Sequence, residues 1–111
     1  MNGGIMYKQG EIILIPFPYS DLTGIKKRPA LIVSNEKLNN SDDRLCCLIT
    51  SSKPKEGILI NSLEKGNLPF KSWVKPNRLF TVHQKIIQKS LCRVTKGFHK
   101  KVFEGIVNYI K

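Results

Sequence analysis

The stretch Lys26-Lys27-Arg28-Pro29-Ala30-Leu31-Ile32-Val33-Ser34 decides how this chain is read. Three cations end a turn-rich loop, and Pro29 fixes the exit because its ring locks φ. Ala30 to Ser34 then reads as a β-strand. A second apolar run, Arg44 to Thr50, stops at Thr50-Ser51-Ser52. It is apolar nearly throughout, so it is expected to be covered on both faces. A guanidinium at the start of one strand and hydroxyls at the end of another can meet over one phosphate.

The flanking sequence extends this pattern. Glu11 to Phe17 is a β-branched run of strand length, and Pro16 and Pro18 are expected to end it or place it on an edge. Tyr19 to Ile25 reads as a loop, since Ser20, Asp21, Thr23 and Gly24 favour turns. Ile58 to Ile60, Ser72 to Lys75, Arg78 to Val82, Ile86-Ile87 and Leu91 to Val94 read as short strands, with a break at Pro76-Asn77. Glu64 to Pro69 reads as a connection. Thr95 can cap a helix in which Phe98, Val102, Phe103, Ile106, Val107 and Ile110 fall at helical spacing. Many short strands, Gly/Pro-rich turns and one terminal helix predict a mainly β fold, a small twisted barrel closed by a C-terminal α-helix. One domain is expected over 1–111, with 1–6 flexible. Apolar edge strands predict a homodimer that covers them.

Composition narrows the partners. Lys and Arg outnumber Asp and Glu by 19 to 8, for a formal charge of +11. That balance suits a polyanion such as nucleic acid, or an acidic protein that covers the same surface. No run of about 18 apolar residues predicts a membrane span, and Met1-Asn2-Gly3-Gly4 does not begin a secretion signal. A cytoplasmic protein with no membrane partner is expected. Cys46, Cys47 and Cys92 make no disulfide framework, and adjacent strand residues point to opposite faces. They read as buried small hydrophobes, and neither metal nor other cofactor is expected.

The candidate chemistry centres on Arg28 and Thr50. Arg28 offers a planar, always charged fork of donors, and Thr50 and Ser51 supply hydroxyls. Together they can hold a phosphodiester and stabilise charge growing on its oxygens. No metal is needed if the attacking group is the 2′-hydroxyl of RNA itself. Lys26 and Lys27 would attract the chain electrostatically, and Lys53, Lys75, Asn77 and Arg78 are further candidate RNA contacts. Arginine is a poor base, so Asp21 is a candidate for proton transfer, or else a loop residue. Trp73 can stack on a base; packing at a core edge or dimer face is the commoner fate.

These segments resemble the MazF/PemK toxins of bacterial type II toxin–antitoxin systems. The likeness rests on Gly10 to Pro18, on Lys27-Arg28-Pro29-Ala30-Leu31-Ile32-Val33-Ser34, on Leu48-Ile49-Thr50-Ser51 and on Trp73 to Val82. It implies an SH3-like barrel of the CcdB/PemK type with a C-terminal helix, usually a homodimer. It implies a metal-independent, sequence-selective endoribonuclease that cleaves single-stranded mRNA to a 2′,3′-cyclic phosphate and a 5′-hydroxyl. It implies a cognate antitoxin, and contact with DNA only through the antitoxin complex. Arg28 and Thr50 match the family's catalytic Arg and Thr. Some members carry a His in the first loop and an Asp in the later strand pair; here the loop has no His, and Asn77 stands near the second place. Two alternatives share the fold: a non-enzymatic inhibitor that binds a protein target such as DNA gyrase, as CcdB toxins do, and an inactive RNA-binding module.

Overall fold

The computed structural model describes residues 6–18 and 25–111. The first loop with Asp21, and all of the expected flexible start except Met6, lie outside the described residues. Seven strands form one antiparallel sheet: β1 (Glu11–Pro18), β2 (Ile25–Ile32), β3 (Asp43–Thr50), β4 (Ile58–Leu59), β5 (Leu63–Gly66), β6 (Trp73–His83) and β7 (Lys89–Val94). Their order across the sheet is β4-β6-β3-β2-β1-β7-β5. A one-turn helix α1 (Glu36–Asn39) links β2 to β3, and α2 (Lys96–Val107) follows β7. Thr95 caps α2, its hydroxyl accepting from the Phe98 N–H at 3.2 Å.

The central strands are buried on both faces, as their apolar runs require. On one face Ile12, Leu31, Cys47, Ile49, Val74, Cys92 and Val94 pack under Phe98, Val102 and Ile106 of α2. On the other, Ile13, Ile15, Ala30, Ile32, Cys46 and Val82 form a second cluster with Tyr7 and Ile87. The sheet curls strongly. Phe17 on β1 and Phe80 on β6 have β2 and β3 between them, and a flat sheet would hold strands three steps apart at about 14 Å. Their rings meet edge to face with centroids 5.2 Å apart, so the free end of β1 folds over the face away from α2. The result is a mainly β, partly closed barrel with one C-terminal helix.

Five local expectations change, the briefest being that Ile86 ends a 3-10 turn (Gln84–Ile86), with Ile87 as its cap, rather than forming a strand. Strand β2 begins at Ile25, not Ala30, so Lys26, Lys27 and Arg28 lie in a strand rather than a loop; pairing with β1 (Ile15↔Arg28, Pro16↔Lys27) overrides their modest strand preference. It also ends at Ile32, since the Val33 and Ser34 amides both turn to the Leu45 carbonyl. β1 is not an edge strand, yet it keeps Pro16 and Pro18. Its ladder with β7 stops at Leu14, and beyond that point one side of β1 needs no donor from the backbone. β6 is continuous through Pro76-Asn77. Lys75 opposes Leu48 and Leu79 opposes Cys47, so Pro76, Asn77 and Arg78 form a bulge facing no residue of β3. Leu63 to Gly66 is an edge strand rather than a connection; the charges of Glu64 and Lys65 make it a poor template for further pairing.

Gly66 is required by two constraints together. Its φ is +81°, and a Cβ there would sit 2.8 Å from both Cys92 Cα and the Leu91 carbonyl oxygen. Left-handed strain and overpacking against backbone each cost about 1–3 kcal/mol. Gly66→Ala is therefore expected to lower stability by roughly 2–4 kcal/mol, measured as a fall in the urea midpoint at unchanged slope. A loss below about 0.5 kcal/mol would show that β5 relaxes freely.

The most buried charge holds the far corner of the sheet. Arg44 is 1% exposed. Its Nε donates to the Tyr7 carbonyl at 2.9 Å, and Nη1 donates to the carbonyls of Ser41 (2.9 Å) and Asp43 (2.8 Å). One guanidinium thus ties the segment before β1 to the turn into β3.

Candidate nucleic-acid interface

Strand registers locate the predicted residues. Ala30 opposes Leu48 on β3, Ile15 opposes Arg28, and Thr50 opposes Trp73. The β2–β3 ladder stops at Ala30 because the next residue, Pro29, has no N–H to donate. Carried two residues further, the same register sets Arg28 opposite Thr50. One transverse row would then read Ile15, Arg28, Thr50, Trp73, and the row beside it Ile13, Ala30, Leu48, Lys75.

Alternation fixes the face. Arg28 has the parity of Ala30 and Ile32, and Thr50 that of Cys46, all in the cluster away from α2. Lys26 shares this face and opposes Phe17, whereas Lys27 opposes Pro16 and points to the other side. The Lys26-Lys27-Arg28 run is therefore split between two faces, with Lys26 and Arg28 on the face that carries Thr50. Ser51 and Lys53 are exposed in the loop after β3; Asn77 and Arg78 are exposed in the β6 bulge; Lys75 is half-buried opposite Leu48. The possible proton-transfer residue Asp21 lies outside the described residues.

Thr50 is half-buried, and its hydroxyl closes a small turn. Oγ1 accepts from the Ser52 N–H at 3.1 Å and donates to the Ser52 carbonyl at 3.3 Å. The amide bond holds the oxygen in place at the strand end. The longer bond is weak by distance, so the hydroxyl proton can turn to an arriving phosphate oxygen at little cost.

The thiols take no part. Burial pushes Cys46 and Cys47 up to about 12 and Cys92 to about 11; Cys47 raises Cys46 further, and the Arg44 charge opposes this. All three are free and buried, and they stay protonated at neutral pH. Among the described residues no three His, Cys, Asp or Glu side chains group closely enough to hold a metal ion, and no helix is long and apolar enough to cross a membrane. A concavity lined by Met6, Lys8, Gln9, Asn35 and Lys37 lies at the opposite end of β2. It is far from Arg28 along the strand.

Trp73 is the residue whose place the sequence concealed. The bulge at Pro76 to Arg78 sets how β6 pairs with Thr50, and a bulge of that size is not readable from composition. Trp73 is flanked by Thr50 on β3 and Leu59 on β4. It is half-buried, with the Lys71 ammonium 5.9 Å from the ring centroid.

The fold is that of a known class of small toxins. Residues 8–110 match the family described as "PemK-like, MazF-like toxin of type II toxin-antitoxin system". The chain belongs to that family. Solved structures show the same fold at low identity. One is an endoribonuclease in complex with its cognate antitoxin from a mycobacterial species: TM-score 0.75, 17% identity, 92% of each chain covered. Another is the MazE–MazF complex (Form II) of Deinococcus radiodurans: TM-score 0.78, 14% identity, 96% of this chain and 97% of that one. A third is the Mycobacterium tuberculosis toxin MazF-mt6: TM-score 0.70, 17% identity, 88% and 93% covered. No curated protein sequence matches the chain.

Proposed function

We propose that this protein, acting as one domain, is a metal-independent, sequence-selective endoribonuclease that cuts single-stranded mRNA in the cytoplasm. One observation supports the reading: the Ala30↔Leu48 pairing, which, carried two residues further, would set a guanidinium opposite a strand-terminal alcohol on one face. The 2′-oxygen attacks phosphorus, the bond to the 5′-oxygen breaks, and the products are a 2′,3′-cyclic phosphate and a 5′-hydroxyl. The 2′-hydroxyl proton is lost, and the leaving oxygen gains one. Arg28 stays charged at neutral pH, so its part is to stabilise charge on the non-bridging oxygens. Thr50 donates its hydroxyl to the same group. Lys26 and Lys75 flank the row and neutralise neighbouring phosphates, with Ser51, Lys53, Asn77 and Arg78 at its ends. Lys27, on the opposite face, adds only long-range attraction.

The family and its solved relatives support a homodimer and an antitoxin partner whose acidic groups would compete for the cationic face. DNA would be reached only through that antitoxin complex. The purified protein is expected to cut single-stranded RNA in EDTA and to leave 5′-hydroxyl ends. Growth arrest on expression with uncut RNA would instead favour a non-enzymatic inhibitor that binds a protein target. End-mapping of RNA after brief expression separates the two and reads the target sequence.

A further inference from the structure

We infer that Trp73 is a stacking platform for a base of the RNA, the nucleotide that flanks the reacting phosphate. The inference rests on the nuclease reading above and adds a binding residue to it. Trp73 and Thr50 are a direct cross-strand pair. Directly opposed residues share a face with Cβ atoms about 5 Å apart. The indole therefore lies next to the alcohol proposed to act on the phosphate. A base is joined to its phosphate through a single sugar, so a phosphate at Thr50 brings a base within reach of the ring.

The ring is held for this use. Its backbone is paired on both sides, to Thr50 and to Leu59. The preceding residue, Ser72, is buried; its hydroxyl donates to the Phe70 carbonyl at 2.8 Å and its own carbonyl accepts from the Ile60 N–H at 2.9 Å. Val74, the next residue, is anchored in the core under α2. Trp73 thus stands on the opposite face from α2 with little backbone freedom to lose on binding. The Lys71 ammonium lies over the ring, 5.9 Å from its centroid, and its flexible four-carbon stem lets it swing off that face to meet a phosphate of the stacked nucleotide. A ring with a movable cation at its face suits a nucleotide better than a bare polyanion: the cation takes the phosphate and the ring takes the base. An acidic peptide would use the cation and leave the ring face without a matched partner.

Trp73 is the sole tryptophan, so its fluorescence reports the contact without any need for cleavage. The probe is a mixed-sequence 2′-O-methyl RNA 12-mer, which has no free 2′-hydroxyl to attack. It is expected to quench the emission, whereas inorganic polyphosphate and polyglutamate bind without comparable quenching. Trp73→Leu, which keeps apolar bulk, is expected to weaken 12-mer binding by about 5- to 100-fold, with Trp73→Phe recovering most of the loss. Circular dichroism reports whether each variant folds; should Trp73→Leu unfold, the quenching comparison on the wild-type protein decides alone. Equal quenching by polyphosphate or polyglutamate, or unchanged affinity in folded Trp73→Leu, overturns the platform. Natural RNA cut normally in that case leaves the nuclease reading intact. A wild-type protein that neither binds the 12-mer nor cuts RNA overturns both.

Discussion

Arg28→Ala is expected to slow RNA cleavage by about two to three orders of magnitude, the usual effect of losing one donor aimed at developing charge. The loss should appear mainly in kcat. Lys26 and Lys75 still supply ground-state attraction to the phosphates, while the fork meets the extra charge that grows only as the 2′-oxygen attacks. Arg28→Lys separates charge from geometry. An ammonium keeps the charge and loses the two-pronged donor set, so its rate should fall between the wild type and the alanine variant. Arg28 sits in a strand held on its β1 side by pairing with Ile15, and the fold should survive either change. Cleavage is read from fragment ends and fold from circular dichroism. Wild-type rates in a folded Arg28→Ala protein would remove Arg28 from the chemistry.

A large expected effect on stability, equal to that of Gly66→Ala, comes from Arg44, a residue with no proposed part in the reaction. Arg44→Met removes a 1%-exposed guanidinium and strands the carbonyls of Tyr7, Ser41 and Asp43. Two effects compete. Methionine relieves the cost of keeping a charge out of water, which can be large. Against this, each buried acceptor left without a donor costs about 1–3 kcal/mol. The Tyr7 carbonyl, bound by the buried Nε, has the least access to replacement water, and the bonds to the other two are only part-buried. A net loss of about 2–4 kcal/mol is expected, measured by urea unfolding at constant slope. A stability within about 0.5 kcal/mol of wild type would mean that relief of the buried charge offsets the stranded carbonyls.

The two residues show what kind of information a linear reading holds. Arg28 stands out in sequence because its signal is local: cations, then proline, then an apolar run. Thr50 stands out the same way, as the polar end of a buried strand, and both remain proposals for the chemistry. The helix was found from its cap and its spacing. Arg44 gave no comparable signal. It opens an apolar strand, where an arginine reads as a solvated end, and its partners lie up to 40 residues away along the chain. The three cations before Pro29 were placed in a loop, since local preference does not know that β1 waits to pair with them.

What the chain determined by itself is therefore its class: strand-length apolar runs, a capped terminal helix, a strong positive charge and the two residues proposed for the chemistry. Those follow from short-range rules, in which a few neighbouring side chains set backbone preference and burial. Only the tertiary structure decided register and face. The Pro76 to Arg78 bulge sets Trp73 opposite Thr50, the β2–β3 ladder ends at Ala30 beside Pro29, and the curl of the sheet lays Phe17 on Phe80. Each is a pairing between distant segments. A shift of one residue would turn every side chain of a strand to the other face, so which groups share the site is settled by packing across the sheet and not by neighbours in sequence.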